Sequence, residues 1–132
     1  MRYEYYGGLD FGYREAKISI INSDKKVIYK SSNTYKSDFL NPQTWINSFE
    51  EIFMDVPEPL KNNLSRLSIS GTTGTLLACK PNGHNLGDAF SYDLIISEKI
   101  KNIKFLCEEK PFLKIPQNSI SKALILIDKY GE

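Results

Sequence analysis

The chain has 132 residues, 41% apolar and 25% charged, with a net charge of +1. A chain of this length is expected to form one domain, residues 1–132, and to hide roughly two-thirds of the surface it exposes when unfolded. The near-zero charge excludes an electrostatic pull toward nucleic acid or an anionic membrane, and the longest apolar run, "ALILI", is far short of the ~20 residues of a membrane span.

The stretch "GLDFGYREAKISIIN", Gly8 to Asn22, reads as a strand, a glycine turn and a second strand. Asp10, at the end of the first strand, is expected to be buried. An acid followed by glycine at a strand end suits a phosphate or metal site, but taken by itself it reads rather as an acceptor of hydrogen bonds in the turn to the next strand. In "EAKISII", Ala16, Ile18 and Ile20 share one face with Lys17 and Ser19 opposite, the period of a half-buried strand. "NSDKK" is a polar turn and "KVIYKSSNTY" returns as a third strand, so the short links predict three antiparallel strands.

In "NPQTWINSFEEIFMDVPEP", Asn41 suits an N-cap and Pro42 the first helical position. Trp45, Phe49, Ile52, Phe53 and Val56 recur at helical spacing, and Pro57 and Pro59 end the helix. "LSRLSISG" is a fourth strand, "GTTG" a turn, and "TLLACK" a fifth strand closed by the turn "PNGHN". A helical crossover after a three-strand meander predicts a fourth strand parallel to the first, in a mixed five-stranded sheet of order βββαβ flanked by helices. "ISEKIKNIKFLCEEK" spaces Ile96, Ile100, Ile103 and Cys107 helically. "NSISKALILIDKYG" reads as a last helix with Gly131 as C-cap. Its core stripe is expected to be Ala123, Leu124 and Ile127, leaving Ile125 and Leu126 to face elsewhere. Such a helix is either sunk in its own domain or covered by more chain or another subunit.

Cys79 and Cys107 lie far apart, and the single histidine, His84, sits in the Pro-Asn-Gly-His turn. Zinc ligation and a Cys–His nucleophile pair are disfavoured, and each cysteine is expected as a small buried hydrophobe. The first residues, "MRYEYYGG", lack the apolar stretch of a secretory signal, so a reduced, cytoplasmic setting is expected.

Four segments carry a family resemblance. "GLDFG" resembles a phosphate motif, usually Asp-x-Gly-Thr, and "NPQTWINSF" is similar to an Asp-Pro-x-x-Trp helix start. "LSISGTTGTLLACKPNGHNLGDAFSYD" resembles a stretch that turns at a sugar site and ends near Trp/Tyr-Asn-Asp. "SISKALILIDKYGE" is similar to a Ser-x-x-x-Lys helix. Together they resemble the N-terminal domain of the FGGY carbohydrate kinases, which have the ribonuclease H-like (actin-like ATPase) α/β fold.

The resemblance implies ATP-dependent phosphorylation of a sugar or polyol hydroxyl. Asp10 would hold magnesium, directly or through water, and Gly12 would let backbone N–H groups approach phosphate oxygens. Tyr13 and Arg14 stand where the family places threonine and then commonly a small or hydroxyl residue. Tyr13 would crowd a phosphate; Arg14 would bind one or be solvated. Thr72 and Thr73 align with the substrate-facing loop, Tyr92 with an aromatic that packs on the sugar, and Asp93 with its polar neighbour. The general base lies beyond the matched stretch, since Asp93 and Asp128 are not at its position, and so does the domain that binds most of the ATP. The chain by itself is therefore expected not to catalyse, and its partners are expected to be a sugar, ATP with magnesium, and a missing domain or subunit on the last helix. Two rivals remain. A ribonuclease H-like nuclease needs further carboxylates converging on paired metals, whereas Asp38 and Asp55 fall in a loop and at a helix end. The other is a non-catalytic sugar-binding or interaction domain.

Overall fold

The computed structural model describes residues 4–99, 103, 108 and 110–131. Its backbone divides into two compact units, Met1–Thr72 and Thr73–Glu132.

The first unit is built on strands β1 (Tyr5–Phe11), β2 (Glu15–Asn22), β3 (Val27–Thr34) and β4 (Leu64–Gly71), in the spatial order β3-β2-β1-β4. The meander is antiparallel and β4 lies parallel to β1, as the crossover predicts. Alternation sorts the side chains. Leu9, Ala16, Ile18 and Ile20 are buried on one face, and Gly8, Asp10 and Lys17 are exposed on the other. Asp10 is thus exposed, contrary to expectation, because it follows the buried Leu9 by one residue and points the opposite way.

Helix α1 (Pro42–Met54) packs on β2 and β3. The Asn41 side chain accepts from the Gln43 N–H at 2.9 Å, and Pro42 starts the helix with φ already set. Ile52 enters a core of Leu9, Ile18, Ile20 and Val56, where burying each such side chain contributes about 1.5–3 kcal/mol. The helix turns most of the expected stripe to the core, with Ile52 and the following Val56 buried and Phe49 and Phe53 packed against them. Its buried positions are Pro42, Thr44, Ser48 and Ile52, while Trp45, Phe49 and Phe53 are half-buried. Polar residues tolerate that burial because they are bonded: Thr44 donates to the Asp38 carbonyl at 2.7 Å, and the Ser48 hydroxyl donates to Asn33. Asp55 caps α1, and Pro57 then introduces a short helix, α2 (Glu58–Lys61).

The sheet has four strands, not five. "TLLACK" lies in the second unit and makes two isolated bridges, Leu76 with Phe90 and Cys79 with Asn85. The two bridges differ in register, with two residues after Leu76 against four before Phe90 between the Leu86–Ala78 and Leu76–Phe90 hydrogen bonds. Gly87, between the two bridges, sits at φ 112°, in the left-handed region. Cys79 is exposed on this irregular loop rather than buried, and Cys107 lies outside the described residues.

The expected helix across residues 96–110 falls largely outside the described residues; Ile96 and Ile103 are buried, and 96–99 are not helical. A 3-10 turn at Pro111–Lys114 leads to helix α3 (Ser119–Tyr130). Leu113 and Ile103 form a small core with Leu124 against it. The buried positions of α3 are Ser121, Lys122 and Leu126, whereas Ile127, expected in the core, is 59% exposed. Gly131 does cap α3, yet at φ −85°. Glycine is needed there for space, since a Cβ would lie 2.6 Å from the Ile127 carbonyl oxygen. No helix among the described residues is long and apolar enough to cross a membrane.

Candidate functional site

The predicted site residues fall in both units, each described separately. In the first, Asp10 is in register with Lys17 on β2 and Ser70 on β4, so all three share the exposed face. The Ser70 hydroxyl donates to Asp10 Oδ1 at 2.7 Å. Lys17 pairs with Glu15 at 3.0 Å, and the hydrogen bond to that carboxylate raises the Lys17 pKa. A strand neighbour, not the following turn, supplies the bond to Asp10.

The turn itself is tightly closed. The Gly12 N–H donates to the Glu15 carbonyl at 3.0 Å, which is what a β-hairpin end requires. The Tyr35 hydroxyl donates to the Gly12 carbonyl at 2.9 Å, and the Tyr35 N–H donates to the Arg14 carbonyl at 3.0 Å. Tyr35, one residue beyond β3, therefore holds both ends of the Gly12–Arg14 turn. Burial first, then the carboxylates of Asp10 and Glu15, push its pKa up to about 12. The hydroxyl stays protonated and remains a donor at neutral pH. Tyr13 is half-exposed and packs its ring on Phe39, 5.2 Å between centroids; Phe39 in turn meets Tyr35 and Trp45, each at 5.8 Å. Arg14 is exposed.

Magnesium can be tested against this donor set. Among the described residues no three His, Cys, Asp or Glu side chains gather into a metal cluster. Asp10 offers one solvent-facing carboxylate with one oxygen taken by Ser70. That fits magnesium held mainly by water and phosphate oxygens, its usual mode in phosphoryl-transfer sites, and does not fit an all-protein cage.

In the second unit, Thr73, Gly74 and Tyr92 line an open cavity of about 380 Å³, whose other walls include Leu113, Ile115 and the start of α3. The cavity thus gathers Thr73 and Tyr92 of the four predicted sugar residues. Thr72 ends the first unit, and Asp93 is exposed outside the lining, accepting from the Ser91 hydroxyl. Gly74 sits at φ 81°, the left-handed region that makes glycine the ready choice in the "GTTG" turn. Asn118 shapes the far wall: its carbonyl accepts from the Ser121 N–H at 2.8 Å, and its amide donates to the Leu113 and Ile115 carbonyls.

Sequence reasoning missed Tyr35 and Lys122. Lys122 is fully buried, its ammonium donating to the carbonyls of Gly74 at 3.0 Å and Tyr92 at 2.7 Å. It lies three residues after Ser119, not at the four-residue spacing of the Ser-x-x-x-Lys motif that its helix resembles. For Tyr35 no local pattern marked it.

The backbone has the mixed α/β, actin-like fold of the FGGY carbohydrate kinases, with four strands in this chain. Gluconate kinase from Lactobacillus acidophilus superposes with a TM-score of 0.73 at 17% identity, covering 98% of this chain and 29% of that one. Xylulose kinase from Lactobacillus acidophilus gives 0.71 at 16% identity over 96% of this chain and 29% of that one. Glycerol kinase from Plasmodium falciparum, solved with ADP, gives 0.61 at 14% identity over 98% and 29%. The chain therefore spans under a third of the length of these structures. No family model matches its sequence.

Proposed function

We propose that this chain is the N-terminal part of an ATP-dependent carbohydrate kinase, which moves a phosphoryl group from ATP to a sugar or polyol hydroxyl. The observation that carries this reading is the agreement of nearly the whole backbone with kinases named for gluconate, xylulose and glycerol. In this reading Asp10, Gly12, Tyr13 and Arg14 form the phosphate turn, and Thr72, Thr73, Tyr92 and Asp93 contribute part of the sugar site. Asp10 would hold magnesium through water, and the ion would neutralise charge on the phosphates. The general base, the rest of the N-terminal domain and the ATP-binding domain belong to further chain or another subunit, and α3 faces them. Residues 1–132 are then one domain's share of a cytoplasmic enzyme and are inactive by themselves.

One observation favours a second reading, a non-catalytic sugar-binding or interaction domain. The Gly12 N–H is already engaged by Glu15, and a tyrosine follows it where a small hydroxyl residue would leave room for phosphate.

An ADP-release assay with Mg-ATP and xylulose, gluconate or glycerol separates these readings. The 132-residue chain is expected to release no ADP, and the same gene's product read past Glu132 to release it only when a sugar is present. Asp10→Ala in the longer product should abolish turnover. A longer product that binds sugar without ever releasing ADP would establish the non-catalytic reading. One that neither binds nor turns over any of the three would remove both.

A further inference from the structure

A buried ammonium is strongly unfavourable unless its protons meet acceptors. Lys122 is 0% exposed, yet it lies on a helix whose Ile120 and Ile127 are open to solvent. The two carbonyls that accept from it, those of Gly74 and Tyr92, come from separate turns that form one wall of the cavity. Neither residue is in a helix or strand, so neither carbonyl belongs to a regular helix or sheet ladder. A lysine head carries three donors on a flexible stem and can gather two carbonyls approaching from different segments. Lys122 itself does not line the cavity. Any influence it has on a ligand passes through the turns it holds.

We propose that Lys122 is the positioning residue of this cavity: its ammonium draws the Gly74 turn and the Tyr92 backbone onto α3, and so fixes where Thr73 and the Tyr92 ring stand at the mouth. The part of this inference that concerns sugar binding rests on the kinase reading; the clamp on the two turns does not. Burial pushes the Lys122 pKa below the usual lysine range, opposed by the carboxylate of Asp93, the charged group nearest in its effect.

Amide hydrogen exchange on the full 132-residue chain, wild type against Lys122→Met, tests the clamp. Methionine fills the space without donating, which leaves two carbonyls without that partner. The amides of Leu76 and Phe90, which pair the two segments beside Gly74 and Tyr92, and of Leu94, which donates to the Ser91 carbonyl, should lose protection by about tenfold or more, the scale of a charge-assisted hydrogen bond. Leu86, bonded to Ala78 at the far end of the same loop, should keep its protection. A uniform loss across the unit, Leu86 included, would reduce Lys122 to a general structural residue and overturn the proposal, as would no loss at all.

If the variant does not fold, the wild type supplies the measurement. The carbonyl carbon resonances of Gly74 and Tyr92 should titrate with Lys122 Nζ at a midpoint below 10.5. Carbonyl shifts that ignore the Nζ titration would overturn the clamp. In a second arm, xylulose, gluconate and glycerol are titrated while the Thr73 and Tyr92 resonances are followed. Weaker binding to Lys122→Met by about tenfold supports the link to sugar. A wild type that responds to none of the three removes the link between this cavity and sugar in the 132-residue chain, and the exchange arm alone then decides the clamp.

Discussion

Replacing Tyr35 by Phe removes one oxygen from the structure and keeps the ring that stacks on Phe39. The bond lost runs from the Tyr35 hydroxyl to the Gly12 carbonyl at 2.9 Å. A neutral, part-buried hydrogen bond contributes about 0.5–1.5 kcal/mol, and a carbonyl deprived of this partner adds to the loss, so the variant should be less stable by ~1–2 kcal/mol near neutral pH. Alkaline pH gives an independent reading. The folded-state pKa of Tyr35 is raised from 10.0 to about 12. Within that window the unfolded chain has released the proton and the folded chain has kept it, so stability falls as pH rises, and the contribution is complete below the unfolded value. A shift of this size corresponds to ~2.7 kcal/mol if fully expressed. Tyr35 is only partly buried, and solvent screening reduces that to about 1 kcal/mol. Urea unfolding of both proteins, followed by the fluorescence of the single tryptophan Trp45, measures the difference near pH 7 and again at about pH 11. The gap should be present at neutral pH and should narrow at the higher value. Equal midpoints near pH 7, or a gap that stays constant into alkali, would refute the clamp on the Gly12 turn.

Ile52→Ala should destabilise the first unit by about 2–5 kcal/mol in the same urea experiment, because Ile52 is 1% exposed amid Leu9, Ile18, Ile20 and Val56. A loss well under ~1 kcal/mol would mean that α1 does not cover the sheet as described. Asn118→Ala removes the cap on Ser121 and the bonds to Leu113 and Ile115, and should loosen the first turn of α3 by about 1–2 kcal/mol, read from amide exchange at Ser121. Asn118→Asp keeps the acceptor and should recover part of that protection; no recovery would place the effect in the amide donor instead.

The sequence by itself determined the meander, the parallel fourth strand and the start of α1, whereas α1 ends at Met54, before the expected Val56, and Pro59 lies inside α2. Those features are written in adjacent residues: the period of Ala16, Ile18 and Ile20, the Asn41-Pro42 pair, and the short links between strands. The fold family was legible too, through short motifs spread along the chain. Where the reading failed, the deciding partner was remote. "TLLACK" has strand composition, yet it finds only two bridges, to Phe90 and Asn85, whose registers do not match. The face of α3 was misjudged because Ser121 and Lys122 look like surface residues until acceptors are brought to them. Tyr35 carries no local mark at all, and it became a clamp only when the sheet set it beside Gly12. Local periodicity and capping are properties of neighbours in sequence, whereas burial of a charge or closure of a turn depends on groups that only the tertiary fold assembles.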